Sequence, residues 1–481
     1  GAASIDITNS HSATTTLTSL STVGAAAAIT VGQSGGGALA ATATTTDAAI
    51  TLSSASANLT ATSVTAGGTA RNVSLTTTTS GNVILGSVTA AGDTVTVTSV
   101  GNIQDAGNDG TTDVTAATVA LNAASGVGAT GANGSIDVSA TTVNSTNSTS
   151  NGIFINSTGA GAVNFNTVNA SAGNVELRAI SATTLTNIDA ANGTIQATVT
   201  GANLTATAVD TATNNAITLT TTTSGDVLLN VVGAGSGTVT ANAAGAIQGV
   251  GTGNHITAGT VDLDAVTGIG TTQQLHLTGA TSIDADTTGA GAASIDITNS
   301  HSATTTLTSL STVGAAAAIT VGQSGGGALV ASAQTAEAGI TLSNTAGDLT
   351  GTNVVAGGAG KNVSLTTTTS GNVIVGSVTA AGDTVTINSA GNIQGDGGTD
   401  ITASTVDLDA VSGIGNTTQV VISGATSIDA DTTGAGAASI DITNSHSATT
   451  TLTSLSTVGA AAAITVGQSG GGALAATATT T

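Results

Sequence analysis

Residues 81–104 read GNVILGSVTAAGDTVTVTSVGNIQ. Within them Thr94-Val95-Thr96-Val97-Thr98 alternates polar and apolar side chains with a period of two. That is the mark of a strand with one buried face. It predicts valines turned inward and threonines outward. The flanking residues are Gly, Asn, Asp, Ala and Ser, which turn a chain tightly, Gly and Asn because they tolerate left-handed backbone angles. Working outward, the same apolar-x-apolar pairs recur at Ile5/Ile7, Ile29/Val31, Ile50/Leu52, Val73/Leu75, Val95/Val97 and Val119/Leu121. They continue at Val163/Phe165, Val175/Leu177, Ile217/Leu219, Val239, Val261/Leu263 and Ile295/Ile297, most of them separated by a similar stretch of chain. No helical spacing is sustained, and the Thr and Gly content opposes helix.

A longer period overlies this beat. Residues 1–46 recur unchanged at 436–481, and the first 39 recur at 291–329, offsets of 435 and 290 that are three and two times 145. LTTTTSG appears at 75–81, 219–225 and 365–371, and TVDLDAVTGIG at 260 returns as TVDLDAVSGIG at 405. The chain therefore reads as long repeats 1–145, 146–290 (diverged) and 291–435, followed by the start of a fourth at 436–481, all in one continuous solenoid. Ending inside a repeat is expected of a fragment of a larger array.

A unit of roughly 21 residues cannot bury a face alone, but stacked units share a core and bond each strand to its equivalents above and below. The expected fold is all-β: a right-handed parallel β-helix, or β-solenoid, of about 23 coils with about 21 residues each, rising ~4.8 Å per coil. Composition agrees. The 481 residues include 66 Gly, no Pro, Cys, Met, Trp or Tyr, and two aromatics, Phe154 and Phe165. A thin core filled by Ile, Val, Leu and Ala needs no aromatics, and proline would remove a ladder donor in each coil it entered. A silk-like cross-β material would show a shorter period. Tandem immunoglobulin-like sandwiches would each need a core of their own, usually with aromatics and turn prolines.

Charge narrows the function. Twenty-six acidic residues stand against Arg71, Arg178 and Lys361, a formal net charge of -23. Nucleic acid and anionic membrane surfaces, which require clustered basic residues, are disfavoured as partners. The scattered carboxylates read as solubility and mutual repulsion. Without cysteine there is no disulfide, thiol nucleophile or thiolate metal site. No apolar run reaches the roughly 20 residues of a membrane-spanning helix, so no membrane insertion is expected.

Units such as residues 81–104 and GTIQATVTGANLTATAVD at 193–210 resemble the repeats of filamentous-haemagglutinin-type exoproteins and of autotransporter-like large adhesins, along essentially the whole chain. The resemblance implies secretion by a Gram-negative bacterium through a partner outer-membrane pore, folding outside the cell, and service in adhesion, aggregation or biofilm building.

Chemistry-bearing motifs are few. Asp284 and Asp286 in SIDAD, repeated as Asp429 and Asp431, offer carboxylates to calcium, the one cofactor considered; corner solvation competes with that role. NDGTTD at 108–113 and GDGGTD at 395–400 are similar to calcium-binding turns, but no tandem nonapeptide series supports them. His11, His301 and His446 share one repeat position and read as surface histidines; His255 and His276 lack evident ligand partners. Asn-x-Ser/Thr triplets at Asn58, Asn72, Asn144, Asn147, Asn156, Asn203 and Asn362 would suit glycosylation. No GxSxG elbow occurs, and three basic residues with two phenylalanines furnish no catalytic cleft, so no enzyme is expected. The expected role is a structural extracellular rod or fibre segment of a giant repetitive bacterial surface protein, as adhesin stalk, filament or sheath component. Its partners would be neighbouring coils and, by lateral self-association, other fibres. The alternatives are an adhesin whose lateral surface binds glycans or solids, and an ice-binding solenoid with a Thr-rich face such as Ile217-Thr218-Leu219-Thr220.

Overall fold

The computed structural model describes residues 3–480. Among the described residues there is no helix; 47 short strands pair in parallel as a β-solenoid of about 22 turns, with equivalent strands about 22 residues apart. The turn is slightly longer than the expected one, and its length varies with the corner loops. Val175 stacks on Ile195 across a short turn, whereas Val95 stacks on Val119 across a longer one. The chain divides into two compact units, 1–242 and 243–481, a division that falls inside the second long repeat.

In the first unit, Ile5, Ile29, Ile50, Val73, Val95 and Val119 form one ladder, paired residue to residue. From Ile29 onward these side chains are fully buried. Each coil carries more than one such face. After Ile50–Ser54, the strand Leu59–Ala66 turns Leu59 and Ala61 inward, sets Thr62 and Ser63 outward in succession, then turns Val64 and Ala66 inward. The extra outward residue bends the strand round a corner. Consequently Val163 and Val175, which read in sequence as successive members of one series, lie on different faces: Val163 pairs with Thr183, Val175 with Ile153 and Ile195.

The expectation that threonines face outward holds for Thr94, Thr96 and Thr98 but fails at the coil corners. Thr77, Thr221 and Thr367, each the second Thr of an LTTTTSG motif, are buried. Their hydroxyls donate to the carbonyls of Gly81 (3.1 Å), Gly225 (2.7 Å) and Gly371 (3.0 Å). A turn leaves backbone carbonyls without ladder partners, and an inward hydroxyl at the last strand position satisfies one of them.

Four of the asparagine triplets have a similar origin. The side-chain carbonyl of Asn58 accepts the Asn82 N–H at 2.9 Å, and that of Asn82 accepts the Asn102 N–H at 2.8 Å. Asn72, Asn203 and Asn362 accept the N–H of Thr94, Asp226 and Thr384 in the same way. Asn58, Asn72, Asn203 and Asn362 each stand just before an inward apolar residue and an outward Thr or Ser, and this order spells Asn-x-Ser/Thr.

Candidate functional site

Three buried carboxylates meet in the first unit. Asp105 ends the short strand Ile103–Asp105, in the inward column that carries Leu85 one coil earlier. Asp113 directly precedes the strand Val114–Ala123, after an excursion of the chain over 106–112. Asp137 lies in Ile136–Ser139, one coil further on, because Val114 pairs with Val138. Asp105, Asp113 and Asp137 are 8, 1 and 0 % exposed. One carboxylate oxygen from each lies within 4.8 Å of the others.

The backbone holds two of the three. Asp105 accepts the N–H groups of Gly107 (2.7 Å) and Asp109 (3.0 Å), folding the excursion over itself. Asp113 Oδ2 accepts the Asp137 N–H at 2.9 Å, and the Asp113 N–H donates to the Asp137 carbonyl at 2.9 Å. Asp137 Oδ1 accepts from Asn156 Nδ2, whereas its Oδ2 is buried without a hydrogen-bond partner. Burial pushes the Asp113 carboxyl up to about 8 and the Asp137 carboxyl up to about 6, with the charge of Asp105 adding to both. Beside them opens a cleft of roughly 490 Å³ lined by Gln104, Asp105, Asn108, Asn151 and Phe154. A set of carboxylate oxygens with one face toward a cleft suits a hard cation.

Of the motifs singled out in sequence, NDGTTD contributes Asp113 to this cluster. Sequence reasoning misses Asp105 and Asp137; the usable signal is that Asp113 and Asp137 stand one coil length apart. Asp284 and Asp286 lie on the outward face of Ser282–Thr287 and pair with Asp262 and Asp264 of the preceding coil. Asp429 and Asp431 pair likewise with Asp407 and Asp409. Burial and the adjoining carboxylates hold Asp264, Asp286, Asp409 and Asp429 above the ordinary carboxylate range. Asp431 accepts from the Ser454 hydroxyl at 2.9 Å. These grids do not close into a cage: among the described residues, only Asp105, Asp113 and Asp137 bring three metal-ligating side chains together.

His11, His301 and His446 sit at equivalent exposed or half-exposed corners and do not meet. His255 and His276 do: their rings stack at 5.3 Å, and His255 Nδ1 accepts the His276 N–H at 3.0 Å. His255 is fully buried, which lowers its pKa, with a further small push from His276. The outward column beside the first ladder reads Asp6, Thr30, Thr51, Ser74, Thr96 and Ala120, so its threonines do not form an unbroken array. Compared with family models, curated proteins and solved structures, the chain matches none.

Proposed function

We propose that the protein is a non-catalytic structural segment of a repetitive bacterial surface protein, working outside the cell as part of an adhesin stalk, filament or sheath. The observation that carries this reading is the residue-to-residue stacking of like side chains, Ile5–Ile29–Ile50–Val73–Val95–Val119, in coils whose sequence recurs every 145 residues. In such a fold each coil templates the next, so length follows repeat number and no new core is needed for each addition. The net charge of -23 suits a fibre that must stay dispersed. The reading is also consistent with the resemblance to filamentous-haemagglutinin-type repeats.

The test is immunolabelling of the cells that make the protein, with antibody raised to the 481-residue chain. Label on intact cells, lost after external protease, together with isolated fibres showing a ~4.8 Å axial repeat, is the expected result. Label that appears only after permeabilisation removes the extracellular role.

A further inference from the structure

We infer that Asp105, Asp113 and Asp137 form a calcium site built into one coil boundary of the first unit. Equivalent corners of the solenoid separate what the fold requires there from what it does not.

The corner occupied by Asp113 recurs in each long repeat. Asp400 Oδ2 accepts the Val421 N–H at 2.7 Å, and His255 Nδ1 accepts the His276 N–H at 3.0 Å, as Asp113 accepts from Asp137. In all three corners the reverse bond also forms, from the Asp400, His255 or Asp113 N–H to the carbonyl one coil on. An acceptor at this position is therefore a device of the fold. Its two companions are not. Where the first repeat has Asp105, the others have Gly249 and Gly395; where it has Asp137, they have His276 and Val421.

The glycines are required by the shorter loops. A Cβ on Gly395 would lie 2.2 Å from Asp400 Oδ2, and one on Gly249 would lie 2.3 Å from the His255 ring. Only the longer excursion 106–112 leaves room for a side chain at position 105, and that side chain is a carboxylate. The first repeat thus has two acidic groups and the space to hold them, at a corner that closes without either.

Asp137 carries the inference further. It is 0 % exposed and its Oδ2 has no hydrogen-bond partner. A buried acceptor without a donor is costly, and ionised carboxylates this close repel one another unless a proton or a counter-charge is held among them. The unit's two basic residues are engaged elsewhere, Arg71 with Asp47 at 2.8 Å and Arg178 with Glu176. A cation satisfies the orphan oxygen and the charge together. The donors are all oxygen, so the ion is hard. Oxygens no more than 4.8 Å from one another lie within the widest span that two ligands can have across a calcium ion at its usual ~2.4 Å bond length. The cleft beside Asp105 provides access and room for the water that completes the shell.

The test uses the full 481-residue chain, stripped with chelator and titrated calorimetrically with calcium chloride, magnesium chloride and zinc chloride. Expected are one calcium per chain, a rise of several degrees in unfolding temperature in millimolar calcium, and slowed amide exchange across residues 106–112. Asp137→Asn keeps the shape, relieves the repulsion and should fold; it should lower calcium affinity at least about tenfold and abolish the calcium-dependent shift. Asp105→Gly, which installs the residue found at this corner in the third repeat, should do the same. Wild-type protein without calcium heat or thermal shift overturns the site, as does full calcium affinity in Asp137→Asn. Binding of zinc or magnesium in preference to calcium overturns the assignment of the ion.

Discussion

At the residue scale, adjacent and chemically identical residues carry different duties. In Gly325-Gly326-Gly327 the middle residue has a φ of +92° and open space around it, whereas a Cβ on Gly327 would fall 1.9 Å from the Ala303 carbonyl oxygen. The first is a question of backbone angle and the second of contact with the coil beneath. Gly326→Ala should cost about 1 kcal/mol through left-handed strain. Gly327→Ala should cost about 2–3 kcal/mol, because backbone and not a flexible side chain must move. Urea titration of the two variants checks the order, and equal losses would show that the coils separate more easily than the contact implies. The triplet GGG does not reveal this difference; the stacking does. The inward Thr77, Thr221 and Thr367 each lie in a run of threonines, and the alternation carried on from Val73/Leu75, Ile217/Leu219 and Val363/Leu365 selects which one turns in.

Single turns of the solenoid are where titration acts. The stacked pair His255 and His276 joins two consecutive coils of the second unit. An unfolded histidine takes up its proton near 6.5, while the buried His255 ring does so only at lower pH. Below pH 6.5 the unfolded chain therefore binds more protons than the native one. The stability that neutral His255 contributes is complete above that value and is lost as pH falls below it. Denaturation midpoints measured on either side of that value should differ for wild type, and the part due to this ring should vanish in His255→Asn, whose side chain retains an acceptor for the His276 N–H. A variant that loses stability with acid as steeply as wild type would place the effect on other groups.

Across the whole molecule, a recurring sequence is buried by the coils on both of its sides. IDITN occurs at 295–299 and 440–444. Ile295 and Ile440 are 1 and 0 % exposed. The cause is the stack: Ile295 pairs with Ile269 on one side and Ile319 on the other, and Ile440 with Ile414 and Ile464. A truncation there empties space between two neighbouring coils. Ile295→Ala should cost about 2–4 kcal/mol, as measured by chemical denaturation. A loss below about 1 kcal/mol would contradict a nearest-neighbour solenoid, in which each coil's stability is set mainly by the coils it touches.

Strand period, absence of helix among the described residues, an aliphatic core and stacked coils were all legible in the chain. Each is a local pattern repeated many times: Thr94 to Thr98 announces a half-buried strand, and the regular return of apolar pairs announces a stack. Which residues become neighbours was settled by the fold. Corner loops make the turn from Val175 to Ile195 shorter than the turn from Val95 to Val119, so separation along the chain does not give position around the coil. This is why Val163 and Val175 look like successive rungs and are not. It is also why Asp284 and Asp286, conspicuous in SIDAD, remain on an open face, while Asp105, Asp113 and Asp137, unevenly spaced along the chain, converge. Side-chain type is written in the sequence, but the phase of each coil is set by the lengths of all its loops together.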